Sequence, residues 1–435
     1  MRQLEFRAAA VVAVAMFASS GGDAFARALS AGPTDYRQVV RELHPGDVLT
    51  LHPGVYVDGL DVKGLLGKAD AMIVIRGDRR RGAAIFVASV ERNTLSIGDT
   101  AFVHIADVDL EGRGAPVDAV KAEGTAHFAH HIVLEGLRIS GYAADQQNVG
   151  ISTKCPAWNW TIRGNRIDTV GTGMYLGNSD GTAPFVRGVI EGNIVSGTLG
   201  YSLQIKHQRE WPESIQAAAL PGQTIIRYNT FAKDERSTSG ALARPNVLLG
   251  HWPLTGRGAD ERYLVYGNLF LDNPSEALLQ AEGNLTLYNN VFVNRHGDGV
   301  AVREHNDVPR RIDMFHNTVL ARDSGILLRN ADPAFRQTVA GNAIFAGGAA
   351  LGTMEAGNFV RRYEEAGTFL REVKTSGRVL DLAPRGRLLD DGHWQPSGRE
   401  ALPDVGLDFD RKTRTAEVHG AYAGGRAAAM DRFQQ

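Results

Sequence analysis

Lys206, His207, Arg209 and Glu210 crowd the end of "GYSLQIKHQRE" (residues 200–210), where Leu203 and Ile205 alternate with Ser202, Gln204 and Lys206. Comparable residues recur along the chain. Lys154, Lys206, His251, Gln280, Arg303 and Arg329 fall at one place in a common frame, with Gly177 and Gly250 at the same place in other segments. Just beyond them come His207, Trp252, Glu282, Glu304, His305 and Asn330. A lysine among other cations has its pKa lowered and becomes a usable base. Histidine titrates near neutrality unaided, which adds His207 and His251. An arginine presents a planar fork to a carboxylate. Together these types suit removal of a proton beside a carboxylate. Lys and Arg also keep an ordinary sheet face soluble. The shared frame, the histidines and the glycines that let a ligand approach favour a site.

That frame is a repeat. A phrase of the form apolar, two variable residues, Asn, any residue, apolar appears as "IRGNRI" (Asn165), "IEGNIV" (Asn193), "IRYNTF" (Asn229) and "VYGNLF" (Asn268). It returns as "LYNNVF" (Asn290), "MFHNTV" (Asn317) and "VAGNAI" (Asn342). Two earlier phrases, around Val108 and Leu137, keep the frame without the Asn. From Val108 the spacings are 29, 28, 28, 36, 39, 22, 27 and 25 residues, near-regular with two insertions. Such a period marks a solenoid. Period-2 alternation and β-branched residues make its units strands, about three short ones per repeat. An Asn at one place in each coil belongs in a turn, its amide bonding to the Asn above and below. The site frame lies twelve or thirteen residues after these asparagines. The insertions "QREWPESIQAAALPG" and "KDERSTSGALARP" border it, and long loops beside a solenoid wall a groove.

Bulk properties narrow the function. The 435 residues carry a net charge of −2, which gives no global field for nucleic acid or an anionic membrane. Fifty glycines fit a chain of many tight turns. Arg2 and Arg7, the apolar run Ala8 to Ala18 and Ala24-Phe25-Ala26 read as a signal peptide over residues 1–26. Export to the periplasm or the exterior is therefore expected. Cys155 is the single cysteine, so neither a disulfide framework nor a Cys-based metal site is available.

With this repeat, residues 35 to 350 resemble the right-handed parallel β-helix, pectate lyase-like proteins. The start "YRQVVRELHPGDVLTLHPGVYVDGLDVKGLLGKADAMIVIRGD" is similar to the entry of the chondroitinase B and alginate lyase group. The resemblance implies an all-β solenoid of about ten coils. It spans residues 27–370, capped at the start by a short helix around Tyr36 to Leu43, with a capping segment over 371–435. It also implies a polysaccharide lyase cleaving an acidic, uronate-containing glycan by β-elimination. That group uses a Lys base and an Arg, roles that Lys206 and Arg303 match by type. His207 and His251 are alternative bases, and His251, His305, Tyr175 and Tyr201 are candidate proton donors. Lys154, Tyr175, Gln204, Trp252, Gln280, Glu282, His305 and Arg329 are expected to bind substrate.

Three other readings are carried. Epimerisation at C5 shares the first proton removal. A glycoside hydrolase needs two nearby carboxyl groups; Glu282 and Glu304 are candidates, although the Asn-Thr-Asp phrase of polygalacturonases is lacking. A non-catalytic polysaccharide-binding module would use Trp158, Trp160, Trp211 and Trp252 as stacking platforms. Glu276, Glu282 and Glu304 with Asn246 are candidate oxygen ligands for Ca2+. "RRR" at 79–81 reads as a solvated turn. The partner expected is an acidic polysaccharide, with no nucleic acid, no membrane, and the protein a monomer.

Overall fold

The computed structural model describes residues 26–215, 221–347, 357–372, 381–386, 388, 398–414 and 418–423. The expected signal peptide lies outside these apart from Ala26. Three long parallel sheets run the length of the molecule. Each coil contributes one strand to each sheet, so strands neighbouring in space are one repeat apart in sequence. In one coil, Thr161–Arg163 belongs to sheet one, Arg166–Val170 to sheet two and Thr172–Leu176 to sheet three. Sheet three has ten strands, and every pairing within the three sheets is parallel. The chain is a parallel β-helix of about ten coils, as the repeat predicts.

The turn from sheet one to sheet two explains the Asn phrase. The residue before each Asn is left-handed: Gly164 (φ 62°), Gly192 (64°), Tyr228 (57°), Gly267 (64°), Asn289 (53°), His316 (51°) and Gly341 (75°). That twist turns the chain sharply and points the following Asn inward. From Asn193 on, each Asn Oδ1 accepts the backbone N–H and the side-chain amide of the Asn one coil before it, while Asn165 accepts the Leu137 N–H. Asn290 donates to Asn317 at 3.1 and 3.0 Å, and Asn317 donates to Asn342 at 3.0 and 2.9 Å. Asn358, which the repeat count omits, adds a further rung beyond Asn342. All these side chains are fully or nearly fully buried, and the ladder satisfies groups that water cannot reach.

The earliest coils lack Asn, and Arg79 takes over. Its guanidinium donates to Asp107 (3.3 Å), Asp109 (2.8 Å) and the Gly136 carbonyl (2.6 Å). The expected solvated turn is thus a structural clamp at its first residue.

Inside, like residues stack coil upon coil. Phe231, Phe270 and Phe292 form one file, with centroids 5.4 and 4.4 Å apart. At the start, a helix over Tyr36–Arg41 buries Tyr36 against Tyr56 (4.9 Å) and Phe86 (5.7 Å). Its phenol donates to the Gly59 carbonyl, which closes the first coils from solvent. The described part of the tail lies along the flank of the solenoid. Leu402 and Val405 cover the file of Tyr266, Tyr288 and Phe315. Leu382, Phe409 and Tyr422 pack with Val291, Leu320 and Phe345 of sheet two. The described tail residues therefore shield sheets one and two.

Candidate functional site

On sheet three, Tyr175, Gln204, Leu248 and Gln280 are register partners on consecutive coils. The position two residues later forms the edge of the sheet. Backbone bonds from Lys206 to Leu176, Gly250 to Ile205, Glu282 to Leu249, Arg303 to Ala281 and Arg329 to Val302 fix its order. The column reads Lys154, Gly177, Lys206, Gly250, Glu282, Arg303, Arg329. Gln280, expected in this column, stands two residues earlier, in the file of Tyr175, Gln204 and Leu248, and Glu282 holds its place. An acid therefore interrupts the cations.

Lys206 is half-buried, and its side-chain amine makes no hydrogen bond or ion pair among the described residues. Its neighbours along the column are both glycines, so no side chain crowds the amine. A Cβ at Gly177 would stand 3.3 Å from that of Lys206, and one at Gly250 would collide with the His207 backbone. Burial lowers the pKa of Lys206, against a smaller opposing pull from Glu282. Two steps before it, Lys154 lies 3.3 Å from the centroid of the Tyr175 ring. Burial lowers Lys154 to about 8, Asp118 opposes this, and Lys121 and Lys206 add to it. Burial raises the Tyr175 phenol, which holds its proton and sits 3.1 Å from the Ser179 hydroxyl.

One residue beyond the column, His207 and His251 are neighbours on adjacent coils, their rings tilted by 34° with centroids 5.4 Å apart. His251 Nδ1 is 2.7 Å from the Trp252 carbonyl. A carbonyl only accepts, so Nδ1 carries the hydrogen and Nε2 is the basic nitrogen. His207 Nδ1 is buried without a partner, and burial, then Lys206 and His251, lowers its pKa. His207 is thus neutral near pH 7 and suited to accept a proton.

Glu282 is 1% exposed. Its Oε2 accepts the backbone N–H groups of His305 (3.0 Å), Asn306 (2.6 Å) and Asp307 (3.0 Å). Its Oε1 is buried with no hydrogen-bond partner among the described residues. Such a cradle fixes a buried carboxylate in one orientation. Arg303, Arg329, Glu304 and His305 are exposed. Arg303 stands three coil steps from Lys206, about 14 Å at the ordinary interstrand spacing of about 4.8 Å. Lys206 and Arg303 are therefore not placed on a single sugar; Lys154, two steps away across Gly177, is the nearer cation.

The two insertions leave sheet three at opposite edges. The first follows Lys206: Gln208 donates to the Phe185 carbonyl (3.0 Å) and accepts from Trp211 (2.8 Å). Residues 216–220 of it lie outside the described residues. The second precedes Val247: Thr238 bonds Leu199 and Gln146, and Arg244 lies over Tyr201 at 5.9 Å. Beneath it, buried Lys233 donates to the Arg244 carbonyl (2.7 Å), and burial lowers it to about 7. The insertions form two banks with the Lys206 column between them. Arg244 was not foreseeable, because only folding brings the end of an insertion against Tyr201.

Two expectations are corrected. Trp158, Trp160, Trp211 and Trp252 are all buried, so none is a surface platform; Trp252 stacks on Tyr263 at 4.5 Å. The residues suggested for Ca2+ do not converge as a ligand set: Glu304 is exposed, and the others are largely committed elsewhere. Asn246 donates to three backbone carbonyls and accepts from Asn273, Glu276 accepts from Gln280, and Glu282 is cradled as described. No group of three His, Cys, Asp or Glu side chains among the described residues is placed to hold a metal ion.

No protein-family profile matches the sequence, and no curated protein is similar enough to match. Solved structures do show a likeness. A GH136 lacto-N-biosidase from Eubacterium ramulus is 14% identical, covering 69% of this chain and 68% of that one, at a TM-score of 0.41. An alginate lyase from a Paenibacillus species is 15% identical, covering 63% and 95%, at 0.40. A PL6 family alginate lyase is 12% identical, covering 82% and 55%, at 0.49. These likenesses concern the coiled architecture alone. By its own sheet order the chain is a parallel β-helix.

Proposed function

We propose that the protein is an exported polysaccharide lyase that cleaves an acidic, uronate-containing glycan on sheet three. The observation that carries this reading is Lys206: half-buried, unpaired among the described residues, lowered in pKa and flanked by glycines in a two-banked groove. A uronate carboxylate settles against Lys154, which makes the C5 proton more acidic by charge pairing. Neutral Lys206 takes that proton, with His207 as the neighbouring base. The C5–H electrons form the C4–C5 double bond, and the C4–oxygen bond breaks. The leaving oxygen takes its proton from Tyr175, whose phenol burial keeps protonated. Gln204 and Gln280 line the groove floor, and Arg303 and Arg329 meet acidic sugars further along the chain of substrate.

Incubation with a panel of uronate polysaccharides, followed by ultraviolet absorbance of the unsaturated product, tests this. Absorbance that is lost in Lys206→Met supports it. New reducing ends without absorbance would assign hydrolysis, and an altered C5 configuration without cleavage would assign epimerisation.

A further inference from the structure

A second groove lies on sheet one, on a different face from Lys206, with a volume of about 610 Å3. That is within the range of ligand pockets, about 300–1,000 Å3. Its floor spans consecutive coils through Thr286, Asp313 and Thr338, which are register partners. One wall is Arg399, from the tail, bound to Asp313 by two bonds of 2.7 and 2.6 Å. Arg311 is likewise matched, to Asp260 at 2.6 Å. Arg262 and Arg336 are exposed and make no ion pair among the described residues. Arg336 has only a 3.3 Å bond to the Thr338 hydroxyl. Phe335, next to Arg336 in the chain, also lines the groove, half-buried, with the guanidiniums of Arg310 and Arg311 at 5.3 and 5.2 Å from its ring.

We infer that this groove binds an anionic glycan segment apart from the catalytic face. The two unmatched guanidiniums would fork carboxylate or sulfate groups. Phe335 offers a flat apolar face for a sugar ring, and the threonines offer hydroxyls. The choice of a glycan over a smaller anion rests on the lyase reading; the preference for anions does not. A tail residue helps to build the groove, so the flank-packed tail has a use beyond shielding.

The test is affinity electrophoresis through gels containing alginate or pectate, run on Lys206→Met protein so that turnover cannot interfere. Arg262→Ala/Arg336→Ala in that background is expected to lose at least about five-fold in retardation. Inorganic sulfate at matched ionic strength should compete poorly. In the active background, the same pair should raise KM for long polymer and leave short-oligosaccharide kinetics unchanged. Unchanged retardation, or full displacement by millimolar sulfate, overturns the proposal. Retardation lost by the arginine pair in a protein with no lyase activity would uphold the groove and sink the lyase reading.

Discussion

Lys206 and Glu282 occupy the same column two coil steps apart, and the residue between them is Gly250. The ammonium is nonetheless easier to deprotonate than an ordinary lysine, because burial outweighs the attraction of that carboxylate. Glu282 is meanwhile turned to its own cradle of three N–H groups and forms no ion pair with Lys206. Burial thus disfavours the charged form of this amine and makes it a more available base than an exposed lysine.

Replacing Lys206 by Met should reduce turnover about 10²–10⁴-fold, the usual worth of a general base. Lys206→Arg should fail equally, since it keeps the charge but does not release its proton. Wild-type activity should rise with pH toward the lowered lysine pKa. Steady-state rates from pH 5 to 10 would decide; an active arginine variant would exclude proton removal by this residue.

Glu282→Gln keeps an acceptor for the three N–H groups but removes the charge. Stability should fall by about 1–3 kcal/mol, measured by denaturant titration. Glu282 raises the pKa of Lys206. Without its charge, the alkaline rise in activity should move to lower pH. A shift the other way would mean that the two residues do not sense one another.

Lys154 has a folded pKa of about 8, below its ordinary value of about 10.4. Between these values the unfolded chain binds more protons, so stability gains as pH rises through that window and is lost below it. Lys154→Met lacks this dependence. The denaturation midpoint of wild type should therefore improve relative to the variant between pH 8 and about 10.5. Parallel pH curves would count against a buried amine at this position.

Asn317→Ala should cost about 3 kcal/mol or more, since each buried group left without a partner costs about 1–3 kcal/mol. It strands the Asn290 backbone N–H and the carbonyls of Leu287 and Phe315. Asn317→Asp should fare no better, because it removes the donors and sets a carboxylate against Asn342 Oδ1. Calorimetry or urea unfolding measures both.

Gly250→Ala should distort the coil, because the added methyl would collide with the His207 backbone. Loss of activity together with a lowered melting temperature is expected. Gly256, whose Cβ meets nothing within 4 Å, is the control site, although its φ of 71° makes Asn the better substitution there.

By itself the sequence determined the coil. An Asn after a left-handed residue, spaced once per repeat, leaves its amide only one good set of partners, so the period was legible as a ladder and the strands followed. It also determined Lys154, Gly177, Lys206, Gly250, Arg303 and Arg329 as one edge, since in a solenoid separation in sequence is separation along the axis. Placement off the lattice was not legible. Gln280 lies twelve residues after Asn268 and Glu282 fourteen, so a count of twelve or thirteen selects Gln280; the backbone hydrogen bonds decided for Glu282, just past the end of the strand. Whether Trp252 lay inside, whether Arg79 clamped a turn and where the tail rested were also decided only by the tertiary structure. Those outcomes depend on which loop packs against which side chain, and no repeat period encodes that.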